Sequence, residues 1–345
     1  MAASVLASPA WSEVTPPEPT AIDSPLNENA ALGYWKAFAQ LPDVEAKAIT
    51  RHFEDESAVN DDVRQLVTDG AAAIDLLHRA TRHPRCAWGH DWDSGWSLTV
   101  SNASKARMLV FMTCLRARVR AADGDAPGAI ADLAAAMRLA HDVGTGGTAV
   151  ELLTEVACRT IVIEQAKAIL DRLSPEQRQT LLSRIESLPP TITTAAVIAN
   201  ERQLMGRHLR TLLDERRLLA DADKHGLLAA DDRLGAVIER LESLPPARRR
   251  EAVDRYETVM DRLEAAARQP RAEVPAALAA IESDLDRRRE TIEAGLASES
   301  PDRRDEAAVD FFAVELPLAA DQVERAENRY WSRLKELRQL VTDRD

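Results

Sequence analysis

Six residues in a short span carry most of the chain's chemical potential: His78, His83, Cys86, His90, Asp91 and Asp93. Imidazole, thiolate and carboxylate are the side chains that hold zinc and other divalent ions. His83, Cys86, His90, Asp91 and Asp93 therefore form a candidate metal set. No HExxH, paired CxxC or complete calcium loop accompanies them, and Asp91-x-Asp93-x-Gly95 matches only a fragment of such a loop. His90 beside Asp91 is a candidate acid–base pair, although neighbours in sequence need not face each other. The reading preferred here is an ordered structural loop with no cofactor; metal binding or catalysis on residues 83–93 is the alternative.

Other chemical signals are weaker. Asp123-Gly124-Asp125 reads as a turn. Gly144-Thr145-Gly146-Gly147 lacks the lysine and the glycine spacing of a phosphate loop. No GxSxG elbow and no ExxH di-iron pattern occurs. Cys86, Cys114 and Cys158 are an odd set in a long chain, and Cys114 and Cys158 sit inside apolar helical patterns, so reduced core thiols are expected.

The candidate residues lie in a loop, 83–99, that interrupts an otherwise helical chain. Trp88, Trp92 and Trp96 recur every fourth position, but Gly89, Gly95 and dense polar residues favour a loop that packs its indoles over the ends of neighbouring helices. Upstream, residues 27–41 carry the stripe Ala31, Tyr34, Trp35, Phe38 and Leu41, closed by Pro42. A helix over 43–53 and a single stronger one over 60–82 follow. Downstream, residues 105–140 read as two helices joined by an acidic turn, with Pro127 in the first turn of the second and alanines on the facing surfaces. This hairpin is the expected centre of the N-terminal unit.

A broad apolar helix over 149–170 comes next. The helix after it is opened by Ser174, Pro175 and Gln177, a capping-box signature. RIESLPP at 184–190 recurs as RLESLPP at 240–246, which suggests a duplicated unit. Long charged helices are expected over 193–219, 231–244, 247–268 and 275–296, a linker over 298–305 and a final helix over 310–343. Tyr330 and Trp331 join Tyr34, Trp35, Trp88, Trp92 and Trp96 as structural anchors.

The segments 29–35, 73–79, 86–88 and 117–140 together resemble a group of uncharacterised helical proteins abundant in planctomycete bacteria. The resemblance covers roughly residues 27–240 and implies no activity or catalytic residue. Residues 124–140, with Ala129 and Ala136, resemble the second half of a tetratricopeptide (TPR) unit.

The chain is expected to be all-α: helical hairpins packed as a TPR-like or irregular α-solenoid or bundle, with long C-terminal helices. Its divisions are a proline-rich leader over 1–26, a helical-hairpin domain over 27–190, and a long-helix region over 191–345. Only 13 glycines, an aromatic content of 4% and a charged content of 29% fit long helices. A net charge of −13 argues against nucleic-acid binding and favours a basic partner. No segment is long enough to span a membrane. A non-enzymatic scaffold or protein-interaction module is expected, with a protein partner or self-association through the C-terminal helices. A cytoplasmic location is expected, or export if a signal precedes residue 1.

Overall fold

The computed structural model describes residues 28–43, 59–188, 192–226, 228–229, 232–315 and 320–342. The leader over 1–26, and all of the helix expected over 43–53 except residue 43, lie outside them. Among the described residues there are fourteen α-helices and no sheet; the one extended pairing is an isolated bridge between Asn29 and Arg85. No described helix is long and apolar enough to cross a membrane.

The first helix, α1 (Ala30–Phe38), begins where Asn29 Oδ1 accepts the Ala31 N–H. Two helices then replace the single one expected over 60–82: α2 (Asp61–Asp69), capped by Asn60, and α3 (Ala71–Ala80). The break is at Gly70. A Cβ there would fall 1.9 Å from Met112 Cε, so a side chain on the helix that follows α3 fills the space that a residue larger than glycine would need.

The expected hairpin is present as α4 (Ser101–Ala122) and α5 (Ala126–Gly144). Gly124 takes φ +85°, a turn conformation that glycine adopts without a Cβ clash. Asp125 caps α5 through the Gly128 N–H, and Pro127 lies in its first turn. Ala106, Ala117, Ala129 and Ala136 are fully buried, so the two backbones approach closely around Leu109, Val110, Leu133 and Met137. Each of those four larger side chains contributes about 1.5–3 kcal/mol on burial.

Next is α6 (Ala149–Ile169), whose start is a full capping box built from Thr148 and Glu151. α7 (Pro175–Glu186) starts on the expected Ser174–Gln177 box. α8 (Thr194–Glu215) stops earlier than the 193–219 expectation. Arg216 takes a left-handed conformation, φ 54°, and the short α9 (Leu218–Lys224) follows. Then come α10 (Asp232–Ser243), α11 (Pro246–Ala267) and α12 (Val274–Leu296).

The C-terminal segment differs from expectation twice. The linker placed at 298–305 is mostly helix, because Pro301 opens α13 (Pro301–Glu315) at a position that needs no backbone N–H. The single helix expected over 310–343 is instead the end of α13 and a separate α14 (Ala320–Thr342).

Two apolar cores divide these helices. The first is built on α1 to α7. The second is built on α8 to α13, around Tyr256, Leu241, Phe311 and Phe312. α14 returns to the first core: Ala326, Tyr330, Leu334, Leu337 and Val341 pack there, chiefly against α6. The charged C-terminal helices are paired across helices as well as along them. Arg255 on α11 reaches Glu306 (2.6 Å) and Asp310 (2.9 Å) on α13, and Arg288 on α12 reaches Asp310 (2.6 Å).

Candidate functional site

The Trp-rich loop is strapped across the start of α1, the corner between α5 and α6, and the side of α8. Asn29 exchanges side-chain hydrogen bonds with the Ala87 backbone (2.8 and 2.9 Å), and the Ala30 N–H donates to the Arg85 carbonyl (2.8 Å). Trp88 Nε1 donates to the Asp142 carbonyl (2.8 Å), and its ring stacks on Tyr34 and Phe38 and meets Trp35 edge-on. Residues 92–97 form a short 3-10 turn. Within it Gly95 takes φ +58°, and a Cβ there would fall 2.1 Å from the His208 ring on α8.

Two buried carboxylates under the loop organise this junction. Asp142, near the end of α5, accepts from Tyr34 Oη (2.5 Å) and Arg138 Nε (2.8 Å). Burial raises its carboxyl above the ordinary range, while the Tyr34 hydrogen bond and the Arg138 charge pull it back. Glu151, in the first turn of α6, is completely buried. Its Oε2 accepts from the Thr148 backbone and hydroxyl, and its Oε1 accepts from Asn102 Nδ2 (2.8 Å) and lies 2.7 Å from His90 Nε2. The helix N-terminus favours a negative charge at this place. Glu201 on α8 accepts the Ala149 N–H (2.9 Å), and burial raises its carboxyl as well.

The candidate metal residues are drawn apart by separate partners. His78 pairs with Asp132 inside the α4–α5 hairpin (2.6 Å). His83 is half-buried and offers its backbone carbonyl to Arg138 Nη2 (3.2 Å). The Cys86 thiol is pushed upward mainly by burial, which disfavours the thiolate that a metal needs. His90 is taken by Glu151. Asp91 accepts the Asp93 N–H (3.2 Å), and Asp93 reaches out to Arg207 (3.3 Å). Among the described residues no three His, Cys, Asp or Glu side chains converge on a point where an ion could sit. This arrangement argues against the metal alternative on residues 83–93.

The anchors divide as well. Tyr34 is fully buried and Tyr330 nearly so, but Trp35 is 37% exposed and Trp331 42%. Trp92 meets His90 edge-on, at 5.9 Å between ring centres. The Trp96 side chain lies outside the described residues. Cys114 and Cys158 are buried free thiols, as expected, and Cys86 is a partly buried one.

Two concavities result. One, of about 370 Å³, opens beneath the loop beside Trp35, Trp88, His90, Asp91 and Asn102. The other, of about 480 Å³, lies between the two cores and is lined by α6, α7, the start of α8, the α11–α12 connection and α14. Glu155 and Arg159 project from α6 into it, with Arg159 over the Tyr330 ring (5.6 Å). Arg271 lies over the Trp331 ring (5.0 Å), and Thr194 Oγ1 donates to Glu327 (3.1 Å). Glu155 is 1% exposed; its Oε1 is 3.0 Å from Arg159 Nε without hydrogen-bond alignment, and burial raises its carboxyl to about 8.

Sequence reasoning missed Asp142, Glu151 and Glu155. A signal existed for Glu151, since Thr148-Ala149-Val150-Glu151 has the form of a capping box. For Asp142 and Glu155 none existed, because a carboxylate on a helix looks the same in sequence whether it faces water or a core. Comparison with family models, curated proteins and solved structures finds no match to this chain.

Proposed function

We propose that this chain is a non-enzymatic helical scaffold that binds a protein partner in the groove between its two cores. The groove itself carries this reading. Its apolar seat is the half-buried Leu188 and Ile192 over the buried Leu152, Val156, Ile185 and Leu334, with an exposed indole at Trp331 on its wall and charged groups of both signs around that seat. A desolvated apolar centre with a large aromatic and a polar surround is the usual composition of a protein-binding patch. The net charge of −13 favours a basic partner through the long-range field, while the apolar seat supplies the anchor. The partner is therefore a protein segment that combines apolar anchors with lysine or arginine. The tetratricopeptide-like character of the α4–α5 hairpin, and membership of the planctomycete group, belong to the same proposal.

Random-peptide display on the purified chain tests it. Enrichment of sequences that mix Lys or Arg with aliphatic or aromatic residues is expected. Their affinity should fall about tenfold in Trp331→Ala, within the range seen for interface aromatics, and should be unchanged in Trp35→Ala, which lies on the other concavity. Failure to enrich such sequences, or binding indifferent to Trp331→Ala, would refute the reading.

A further inference from the structure

The cavity beneath the Trp-rich loop has a chemistry of its own, separate from the inter-core groove. Two indoles, Trp35 and Trp88, stand edge to face with centres 6.1 Å apart and form part of its wall. Its polar residues are one carboxylate, one imidazole, one amide and three hydroxyls. Asn102 is 1% exposed and lines the cavity. Because its Nδ2 donates to a Glu151 oxygen, the amide orientation is fixed, and Oδ1 is left without a hydrogen-bond partner.

His90 is placed by the same carboxylate. Its Nε2 lies 2.7 Å from Glu151 Oε1. Asp91 adds a carboxylate at the exposed rim, and neither lysine nor arginine is among the described residues that line the cavity. The exposed Asp91 carboxylate is the acceptor that an ammonium N–H reaches from this cavity. Indole faces attract cations, and carboxylates attract them further. The volume of about 370 Å³ lies within the range of small-molecule pockets.

We infer that this cavity binds a small organic ammonium that both donates hydrogen bonds and lies against the indoles. The ammonium belongs to a free amine or to a lysine side chain. Anionic ligands are disfavoured by Asp91 and Glu151. A neutral polyol would gain nothing from the carboxylate field.

Titration calorimetry on the full chain with n-butylammonium, tetramethylammonium, n-butanol and glucose tests this. Saturable binding of n-butylammonium is expected. Tetramethylammonium, which has no N–H to donate, should bind about tenfold more weakly, and the neutral probes more weakly still. Trp35→Ala and Asp91→Asn alter exposed rim residues outside the cores, so folding, checked by circular dichroism, should survive. Each should weaken n-butylammonium by about fivefold or more. Nα-acetyl-lysine amide binding tighter than n-butylammonium supports the inference with a lysine side chain as the source. Equal or weaker binding of that probe supports it with a free amine. The inference is overturned if no ammonium binds saturably, if butanol or glucose binds as well as n-butylammonium, or if both rim variants bind like wild type. Groove variants such as Trp331→Ala should leave this binding unchanged, so the ammonium site and the protein groove succeed or fail separately.

Discussion

Replacing Glu155 with glutamine should change how the protein's stability depends on pH. Glu155 is 1% exposed, and neither carboxylate oxygen has an aligned hydrogen-bond donor. Burial raises its carboxyl from 4.5 to about 8; Arg159 opposes that rise, while Glu327 and Asp142 add to it. The folded chain therefore holds a proton here across a window in which the unfolded chain has released it. A group of this kind contributes most stability below its unfolded value and loses it as pH rises towards its folded one. At about 1.4 kcal/mol per pKa unit, the shift from 4.5 to about 8 corresponds to roughly 4–5 kcal/mol lost across that window.

Glutamine keeps the shape and does not ionise, so Glu155→Gln lacks this slope. Paired urea denaturation of wild type and variant, from about pH 5 to about pH 9, isolates the effect, because titrating groups that do not interact with Glu155 cancel in the difference. The variant should gain about 3–4 kcal/mol relative to wild type over that range. A difference that stays constant within about 0.5 kcal/mol would show that Glu155 is ionised in the fold at neutral pH, and would refute the reasoning.

Three further outcomes are expected. His141 is held near 4, below its ordinary 6.5, by burial and by the Arg159 and Arg138 charges. Its contribution is present above pH 6.5 and lost as pH falls towards 4, so His141→Asn should flatten that acid limb by about 2–3 kcal/mol in the same difference measurement. Asp132 is completely buried and accepts from Arg116 Nε (3.0 Å) and Nη2 (2.7 Å). Asp132→Asn should cost about 3 kcal/mol in chemical denaturation, because it leaves the buried Arg116 guanidinium with only the exposed Asp75 as counter-charge. A Cβ on Gly33 would sit 2.6 Å from Ala80 Cβ. Gly33→Ala should therefore lose about 1–3 kcal/mol, and Ala80→Gly in the same chain should restore part of the loss; no rescue would place the strain elsewhere.

Much of the fold was legible because it is local. The α4–α5 hairpin follows from apolar periodicity, the αL glycine at 124 and the Asp125 cap, all within one short window of sequence. The Ser174–Gln177 start of α7 was equally plain. The misread elements depended on a distant partner. Gly70 sits inside a helical pattern, and only Met112 from α4 shows why that position has no room for a side chain. Pro301 looked like a linker residue, yet its helix is secured by α11 and α12, through Arg255 and Arg288.

The candidate site was half legible. The loop over 83–99 was marked by its indoles, and its composition pointed to metal ligands. Residue type fixes what a side chain is able to bind; the tertiary structure decides which partner reaches it first. His90 went to Glu151, His78 to Asp132, and Asp93 to Arg207. By itself the sequence determined a helical chain, its hairpins and caps, and a singular aromatic loop, because these rest on spacing and backbone preference. Only the tertiary structure decided that α14 returns to the first core, that a groove opens between the two cores, and that Asp142, Glu151 and Glu155 are buried. Burial and pairing depend on residues far apart in the chain, and a carboxylate's chemistry is set by the water it has lost and the charges it has met.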